Sequence, residues 1–205
     1  MGLEQELKLR VSGEGKLDLS SLVWLRELTN GKVETQHLSN TYFDTPNKDL
    51  RKQGVGLRLR QQDDVFLQTV KTAGIARDGL HQRDEWEHEL QAADWDLAKL
   101  RQTPLADLIN DSNIWSNMQP IFTTNFTREI RWLTLPENTK VELAYDRGAV
   151  TAGDLVDTIH EIELEIKQGS IEQLKQFATL MCSHLAVKPS NSSKAKQGYR
   201  LVESL

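Results

Sequence analysis

The chain has 205 residues, with 25 lysine and arginine residues against 30 aspartate and glutamate residues, which gives a formal net charge of −5. This length suits one large domain or two small ones. The net negative charge argues against a broad nucleic-acid-binding surface, so we expect any anion-binding site to be confined to one part of the protein. The single cysteine, Cys182, excludes an intramolecular disulfide framework and favours a reducing compartment. Because no apolar run approaches the roughly 18 residues of a membrane span, we expect a cytoplasmic protein with neither a membrane nor a nucleic acid as partner.

Hydrophobic periodicity predicts mostly strands, in chain order, with a few helices. The first strand covers 3–11, and a helix over 18–28 is expected to end at the pair Asn30-Gly31. Further strands are predicted over 36–43, 54–62, 64–72, 83–91, 121–133, 139–147 and 159–168. Helices are predicted over 94–110 and 170–186. Since no low-complexity linker divides the chain, we expect a single α+β domain over 1–205, dominated by antiparallel strands.

Charged side chains form rows along several of these strands. Residues two apart in a strand point to the same side, and this spacing gives four rows. They are Glu4, Glu6, Lys8 and Arg10; Arg58 and Arg60, with Lys71 on the next strand; Arg83, Glu85, Glu87 and Glu89; and Glu161, Glu163, Glu165 and Lys167. Any single row of this kind is also typical of the solvent-exposed face of an antiparallel sheet. Together they place like charges about 7 Å apart along one strand, which calls for counter-ions and favours a closed barrel with a polar interior.

The acidic and basic rows together predict which kind of ligand the interior binds. Carboxylates bind hard cations such as Mg²⁺ or Mn²⁺, and arginine and lysine bind phosphate oxygens. A polyphosphate with a divalent metal satisfies both kinds of row.

Sequence blocks in this chain resemble those of a known family. The segment Glu4-Gln5-Glu6-Leu7-Lys8 carries the Glu-x-Glu-x-Lys signature of the CYTH domain, or triphosphate tunnel metalloenzyme, superfamily. Further blocks follow in the family's order. They are Tyr42-Phe43-Asp44-Thr45-Pro46, Gly56-Leu57-Arg58-Leu59-Arg60, Thr69-Val70-Lys71, Gly79-Leu80-His81-Gln82-Arg83-Asp84-Glu85, Phe126-Thr127-Arg128, Val141-Glu142-Leu143-Ala144-Tyr145-Asp146-Arg147-Gly148, Glu161-Ile162-Glu163-Leu164-Glu165 and Ser193-Lys194-Ala195-Lys196-Gln197-Gly198-Tyr199.

Within that superfamily the chain most resembles bacterial inorganic triphosphatases. Many of these carry a second, helical, His-rich domain, and we expect this chain to hold the CYTH domain alone, over 1–205. One departure is Gln197, which stands where the family usually has arginine before Gly-Tyr, and this weakens any phosphate contact expected at that position.

The resemblance implies an eight-stranded antiparallel β-barrel around a tunnel, with helices packed outside. By matched position it implies metal ligands, triphosphate ligands and residues of the reaction. The metal ligands are Glu4, Glu6, Asp146, Glu161, Glu163 and Glu165, of which one of the last three is expected at a tunnel mouth. The triphosphate ligands are Lys8, Arg58, Arg60, Lys71, Arg83, Arg128 and Lys194. Residues implied in catalysis are Glu4, Glu6, Lys8, Lys71 and Glu85, and Glu85, Glu142 and Asp146 are expected to orient a second metal or the attacking water.

The predicted activity is metal-dependent hydrolysis of inorganic triphosphate to pyrophosphate and phosphate, with Mg²⁺ or Mn²⁺ as cofactor, by a monomer or homodimer. The alternatives are a class IV adenylate cyclase, a thiamine triphosphatase and a non-catalytic polyphosphate-binding module. The binding module does not need the glutamate rows, which are present here and therefore favour catalysis.

Overall fold

Antiparallel pairing closes one sheet on itself in the computed structural model, which describes residues 2–205. The strands are β1 (Gly2–Val11), β2 (Thr29–Asp44), β3 (Val55–Gln62), β4 (Val65–Thr72), β5 (Ile75–Arg77), β6 (Leu80–Leu90), β7 (Gln119–Leu135), β8 (Thr139–Ala152), β9 (Leu155–Gln168) and β10 (Val187–Pro189). Eight of them follow one another as β1-β9-β8-β7-β2-β3-β4-β6, and β6 pairs back onto β1. The short strands β5 and β10 are added at the ends of β6 and β1. The predicted α+β class and eight-stranded closed barrel are confirmed.

Seven α-helices accompany the barrel within the described residues. They are α1 (Val23–Leu28), α2 (Asp49–Lys52), α3 (Leu97–Leu100), α4 (Ala106–Asn110), α5 (Ser112–Trp115), α6 (Ile171–His184) and α7 (Lys194–Val202). Within 2–205, none of the helices combines the length and the apolar character required to cross a bilayer.

The helix predicted over 18–28 is shorter than expected. Asp18 caps a single 3₁₀ turn, and α1 begins only at Val23. The pair Asn30-Gly31 does not cap this helix, because β2 already begins at Thr29 and pairs with β7. Gly31 has a φ of +76° at a register shift in β2, so its positive φ serves an irregular strand and not a helix end.

The helix predicted over 94–110 is wrong as one element. The structure divides this region into α3, α4 and α5, with a break at Thr103-Pro104. Proline lacks the N–H that a helix interior needs. The Thr103 hydroxyl also accepts a hydrogen bond from the backbone N–H of Leu105 (3.2 Å), which starts a new turn.

Apolar faces of the strands pack outward against the helices, as the alternation predicts. One cluster joins β1, β8 and β9 to α6 through side chains such as Leu9, Leu164 and Phe177. A second joins β3 and β4 to the short helices through Leu57, Val70 and Leu108. The even-numbered residues of β1 and the odd-numbered residues of β9 are thereby left to face the interior.

Helix α7 closes one end of the barrel from within. Phe126 lies two residues before the cavity-lining Arg128 on β7, so both side chains point to the interior. Phe126 also belongs to a third apolar cluster, which includes Tyr199 of α7. The approach is close, because a Cβ added to Gly198 would lie 2.2 Å from the Phe122 ring. No helix was predicted here, although α7 carries the last of the charged residues into the interior.

Candidate functional site

The charged rows converge on one interior cavity of about 860 Å³. Ten cationic side chains line it: Lys8, Arg51, Arg58, Arg60, Lys71, Arg83, Arg128, Lys167, Lys194 and Lys196. Eight carboxylates line it as well: Glu4, Glu6, Glu34, Glu85, Glu87, Glu142, Glu163 and Glu165. All seven cations that the sequence analysis selected as triphosphate ligands are therefore brought together.

The first of two charged groups surrounds Glu4. Arg83 Nε donates to Glu4 Oε2 (2.6 Å), and Lys71 Nζ donates to Glu4 Oε1 (2.8 Å). Burial alone would raise the pKa of Glu4, but Lys71 and Arg83 outweigh it and hold that pKa well below its ordinary value. Arg83 also donates to Glu6 Oε1 (3.0 Å), and Lys71 lies 3.2 Å from Glu85. Cations thus bridge Glu4, Glu6 and Glu85 across β1, β4 and β6.

The second group surrounds the ammonium of Lys194. Its Nζ donates to Asp146 Oδ2 (2.6 Å), to Glu163 Oε1 (2.9 Å) and to Glu161. One ligand oxygen from each of these three carboxylates lies within 4.8 Å of the others. Asp146 and Glu161 do not line the open cavity, since they lie behind Lys194. We call these three residues the acidic cluster.

Cations on both sides hold the acidic cluster in place. Arg128 makes a bidentate contact with Asp146, with both nitrogen–oxygen distances at 2.7 Å, and it also donates to Glu163. Burial would raise the pKa of Glu163, but Lys194, Lys8 and Arg128 hold it well below the ordinary value. Burial, Glu163 and Asp146 instead raise the pKa of Glu161. Lys8 joins the two charged groups, because it contacts Glu163 and lies 3.1 Å from Glu6.

Arg60 differs from the other predicted triphosphate ligands. Across residues 2–205 no carboxylate lies within 4 Å of its guanidinium, whose Nε instead donates to Asn40 Oδ1 (2.8 Å). Burial, together with the nearby charges of Arg58 and Arg128, lowers the pKa of Arg60 to about 10. Arg58 donates to Thr69 (3.0 Å) and to Glu87 (3.3 Å), while its buried Nε has no hydrogen-bond partner among the described residues. Within the described chain, Arg60 therefore lacks a carboxylate within 4 Å, whereas Arg58 has two, Glu87 and Glu85.

The donor set of the acidic cluster suits a hard divalent cation. Three carboxylates from β8 and β9 supply oxygen atoms, the ligand type that Mg²⁺ and Mn²⁺ prefer. Their arrangement already holds one positive charge, the Lys194 ammonium, in direct contact with all three. Glu4 and Glu6, the other predicted ligands, lie with Arg83 on the far side of Lys8.

One mouth of the cavity lies opposite α7. Along β8 the interior positions run from Glu142 at this mouth, through Asp146, to Val150 beneath α7. Lys167 lies at the mouth, 2.7 Å from Glu165, 3.4 Å from Glu142 and 6.0 Å from the centre of the Trp132 ring. Glu165 is the most exposed of the three C-terminal glutamates, which agrees with the prediction that one of them lies at a mouth.

Sequence reasoning missed several cavity residues. Glu87 was recognised in its charged row but given no role, although it contacts Arg58. Tyr42 was part of a matched block, and its only sign of function is its place beside Arg58 in the folded barrel. Burial opposes its ionisation, but Arg58, Lys71 and Arg60 lower the pKa of Tyr42 below the ordinary value. Arg51 comes from the short helix α2 and left no periodic signal.

Gln197 does not reach the cavity. It is buried in α7, does not line the interior, and its Oε1 has no partner among the described residues. Gln197 itself therefore does not contact a ligand in the cavity, and the effect of replacing the family's usual arginine stays a prediction.

The family is evident from comparison with known proteins. Residues 2–199 match the CYTH domain. The chain is also 36% identical over 200 residues to an inorganic triphosphatase of Haemophilus influenzae, a match that covers 97% of this chain. The chain belongs to the CYTH domain family. It spans 54% of the length of that curated relative.

Solved structures share the fold. HpAC1 from Hippeastrum, described as a putative adenylyl cyclase with a dominant triphosphatase activity, superposes with a TM-score of 0.70 at 20% identity, over 98% of this chain and 95% of its own. A putative adenylate cyclase from Bacillus halodurans gives a TM-score of 0.55 at 20% identity, over 96% and 98% of the two chains. The PH1819 protein of Pyrococcus horikoshii gives 0.56 at 16% identity, over 98% and 99%. These similarities establish the barrel and its helices.

Proposed function

We propose that this CYTH domain, taken as a single domain over 1–205, hydrolyses inorganic triphosphate to pyrophosphate and phosphate inside the barrel. The observation that carries the proposal is the wall formed by Arg58 and Arg60. Both residues line the interior cavity, and the Arg60 guanidinium has no carboxylate within 4 Å among the described residues. An anion with several oxygen atoms would supply the counter-charge that Arg60 lacks, and arginine binds phosphate oxygens more strongly than it binds neutral acceptors.

A linear triphosphate extends this contact along the cavity. Lys8, Lys71, Arg83 and Arg128 surround the same space but are paired with carboxylates in the structure. Substrate binding exchanges part of these ion pairs for contacts with phosphate oxygens. The exchange keeps each buried cation next to negative charge.

The acidic cluster, with Glu4 and Glu6, would hold a divalent cation, Mg²⁺ or Mn²⁺. When bound, such an ion neutralises charge on phosphoryl oxygens and lowers the pKa of a coordinated water. Support for this assignment comes from the oxygen donor set and from the cation, Lys194, that the cluster already accommodates.

The chain's own residues then do three things in the reaction. The lysines and arginines hold the triphosphate so that the terminal phosphorus faces a water molecule in line with the bridging oxygen, and they stabilise the charge that develops on that oxygen. Glu85, 3.2 Å from Lys71, would accept a hydrogen bond from the attacking water. The new bond joins the water oxygen to the terminal phosphorus, the bridging P–O bond breaks and pyrophosphate leaves; one proton of the water stays on orthophosphate and the other is released to solvent. No nucleophilic side chain is needed.

Turnover in ¹⁸O-labelled water tests the proposal. We expect one labelled oxygen per orthophosphate and none in pyrophosphate, as read by ³¹P NMR. Glu6→Gln should lose more than 99% of the metal-dependent rate, which is about 3 kcal/mol of transition-state stabilisation. Glu172→Gln, on the exposed face of α6, is the matched control and should retain the wild-type rate. Label in pyrophosphate, or a fully active Glu6→Gln variant, would contradict the proposal.

A nucleoside or thiamine triphosphate is the second candidate substrate. Trp132 is 38% exposed at the mouth and lies beside Lys167, which offers a ring on which an aromatic group can stack. If the organic group binds there, Trp132→Ala should weaken turnover of ATP or thiamine triphosphate severalfold and leave inorganic triphosphate unaffected. Formation of cyclic AMP from ATP would instead indicate cyclase activity.

A further inference from the structure

Asp44, at the end of β2, is a fully buried carboxylate that accepts four hydrogen bonds. Its Oδ1 accepts from the backbone N–H groups of Thr45 (2.8 Å) and Leu50 (2.9 Å). Its Oδ2 accepts from the backbone N–H of Arg51 (3.1 Å) and from the hydroxyl of Tyr199 (2.7 Å). One carboxylate thus organises the start of α2 and also binds a side chain from the other end of the sequence.

The two helices that meet at Asp44 both reach the cavity. Arg51 of α2 lines it and packs over the Tyr199 ring, 4.6 Å from the ring centre. Arg51 also donates to Glu203, just after α7 (2.5 Å). Helix α7 begins at Lys194, whose ammonium lies in the acidic cluster. The position of this ammonium therefore depends on where α7 is held.

Helix α7 is too short to hold its place unaided. It has nine residues, and isolated helices of this length are marginal in water. The contact of Gly198 with Phe122 sets how closely α7 approaches the barrel, and an apolar contact of this kind has little directional preference. The hydrogen bond between Tyr199 and Asp44 is directional and buried.

We propose that the Asp44–Tyr199 hydrogen bond is a positioning device for Lys194, which holds α7 at the depth where the ammonium reaches the acidic cluster and the substrate. The inference rests on the proposed function, since it assigns Lys194 to a triphosphate site. Asp44 does not line the cavity, and Tyr199, which does, has its hydroxyl bonded to Asp44, so we assign both as positioning residues that act through Lys194. Burial and the neighbouring Asp44 raise the pKa of Tyr199, so its hydroxyl remains a donor throughout the ordinary pH range.

Tyr199→Phe removes this one hydrogen bond and keeps the ring. A hydrogen bond to a charged acceptor stabilises by an amount that corresponds to about tenfold or more in an equilibrium. We expect the KM for inorganic triphosphate to rise about tenfold with kcat within about twofold, and backbone amides of 194–202 to exchange faster with D₂O. Tyr145→Phe is the matched control, because its buried hydroxyl bonds with Leu17 N–H and His160 on the outer side of the barrel. It should change neither KM nor exchange in 194–202.

A double-mutant cycle separates positioning from general stability. In a Lys194→Met background, Tyr199→Phe should have no further effect on KM, although exchange in 194–202 should still accelerate. A tenfold rise in KM in both backgrounds would overturn the proposal, as would a Tyr199→Phe variant with wild-type KM and exchange.

Two further outcomes are distinguishable. If Tyr199→Phe does not fold, Glu203→Gln loosens the same link at the surface and should raise KM and exchange in the same direction by a smaller factor; wild-type values would contradict the proposal. A wild-type protein that neither binds nor hydrolyses triphosphate would overturn the proposed function together with the role of Lys194. Unchanged exchange in 194–202 of Tyr199→Phe would overturn the positioning device alone.

Discussion

Arg60→Met should make the protein more stable and a weaker binder of triphosphate. Burial and the charges of Arg58 and Arg128 lower the pKa of Arg60 to about 10, against an ordinary value of 12.5. A lowered pKa means that folding disfavours the charged form, so at pH 7 the folded state carries the full electrostatic cost. That cost fades as the pH rises through about 10.

The magnitude follows from the same values. The lowering corresponds to about 3 kcal/mol, which we reduce to about 2 kcal/mol because the side chain retains some contact with solvent. The lost hydrogen bond to Asn40 removes about 1 kcal/mol. The net gain of about 1 kcal/mol predicts a melting temperature about 2–4 °C higher. Triphosphate affinity should fall about tenfold or more, because a charge-assisted contact with phosphate is lost.

Differential scanning calorimetry at pH 7, with and without triphosphate, measures both effects. Arg83→Met is the contrasting variant, because Arg83 pairs with Glu4 and Glu6 and its removal leaves two buried carboxylates without this partner. It should lose about 3–5 kcal/mol. If Arg60→Met is destabilised as much as Arg83→Met, the reasoning about uncompensated charge is refuted.

Three other predictions concern single residues. Glu163→Gln should be destabilised by about 3–5 kcal/mol in chemical denaturation, because Lys8, Lys194 and Arg128 lose their shared carboxylate; an unchanged midpoint would show that these ion pairs contribute nothing. Gly198→Ala should lose about 2 kcal/mol or more, since its Cβ would lie 2.2 Å from Phe122, and a wild-type melting temperature would contradict this close approach. His81, buried against the carbonyl of Ser190 (2.9 Å), should titrate by NMR below its ordinary pKa of 6.5, because burial disfavours its charged form. Because the pKa of His81 is lower in the folded state, the stability contributed by the neutral imidazole is present above about pH 6.5 and is lost as the pH falls through the lowered pKa. A pKa of His81 above 6.5 would contradict this direction.

The barrel could be predicted because its strands differ so clearly on their two faces. On β1 the alternation of Glu4, Glu6 and Lys8 with Leu7 and Leu9 assigns each side chain to the interior or to the outer core. The same period assigns the interior rows of β6 and β9. Closure follows from the need to give these rows counter-charges.

The pairing of charges within the interior could not be predicted. Whether Arg83 pairs with Glu4 or with Glu163 depends on the strand register and on which strands close the barrel. The local sequence predicts neither of these. The sequence also could not show that Lys8 and Arg83 lie between Glu4 and Glu6 on one side and the C-terminal glutamates on the other.

Helix α7 was missed for a different reason. It is short and contains Gly198, which disfavours a helix in isolation. Its position is set by tertiary contacts of Tyr199 with Asp44, 155 residues away in the chain, and of Gly198 with Phe122. Local helix propensity does not depend on such contacts. The role of residues that act through α7 can therefore be inferred only from the folded structure.

The most direct test of the account compares substrates and metals in one assay. Phosphate and pyrophosphate release should be measured from inorganic triphosphate, ATP and thiamine triphosphate, each with Mg²⁺, with Mn²⁺ and with EDTA. Fast release from inorganic triphosphate that EDTA abolishes is the predicted result. Binding without turnover, or conversion of ATP to cyclic AMP with no hydrolysis of inorganic triphosphate, would contradict the account.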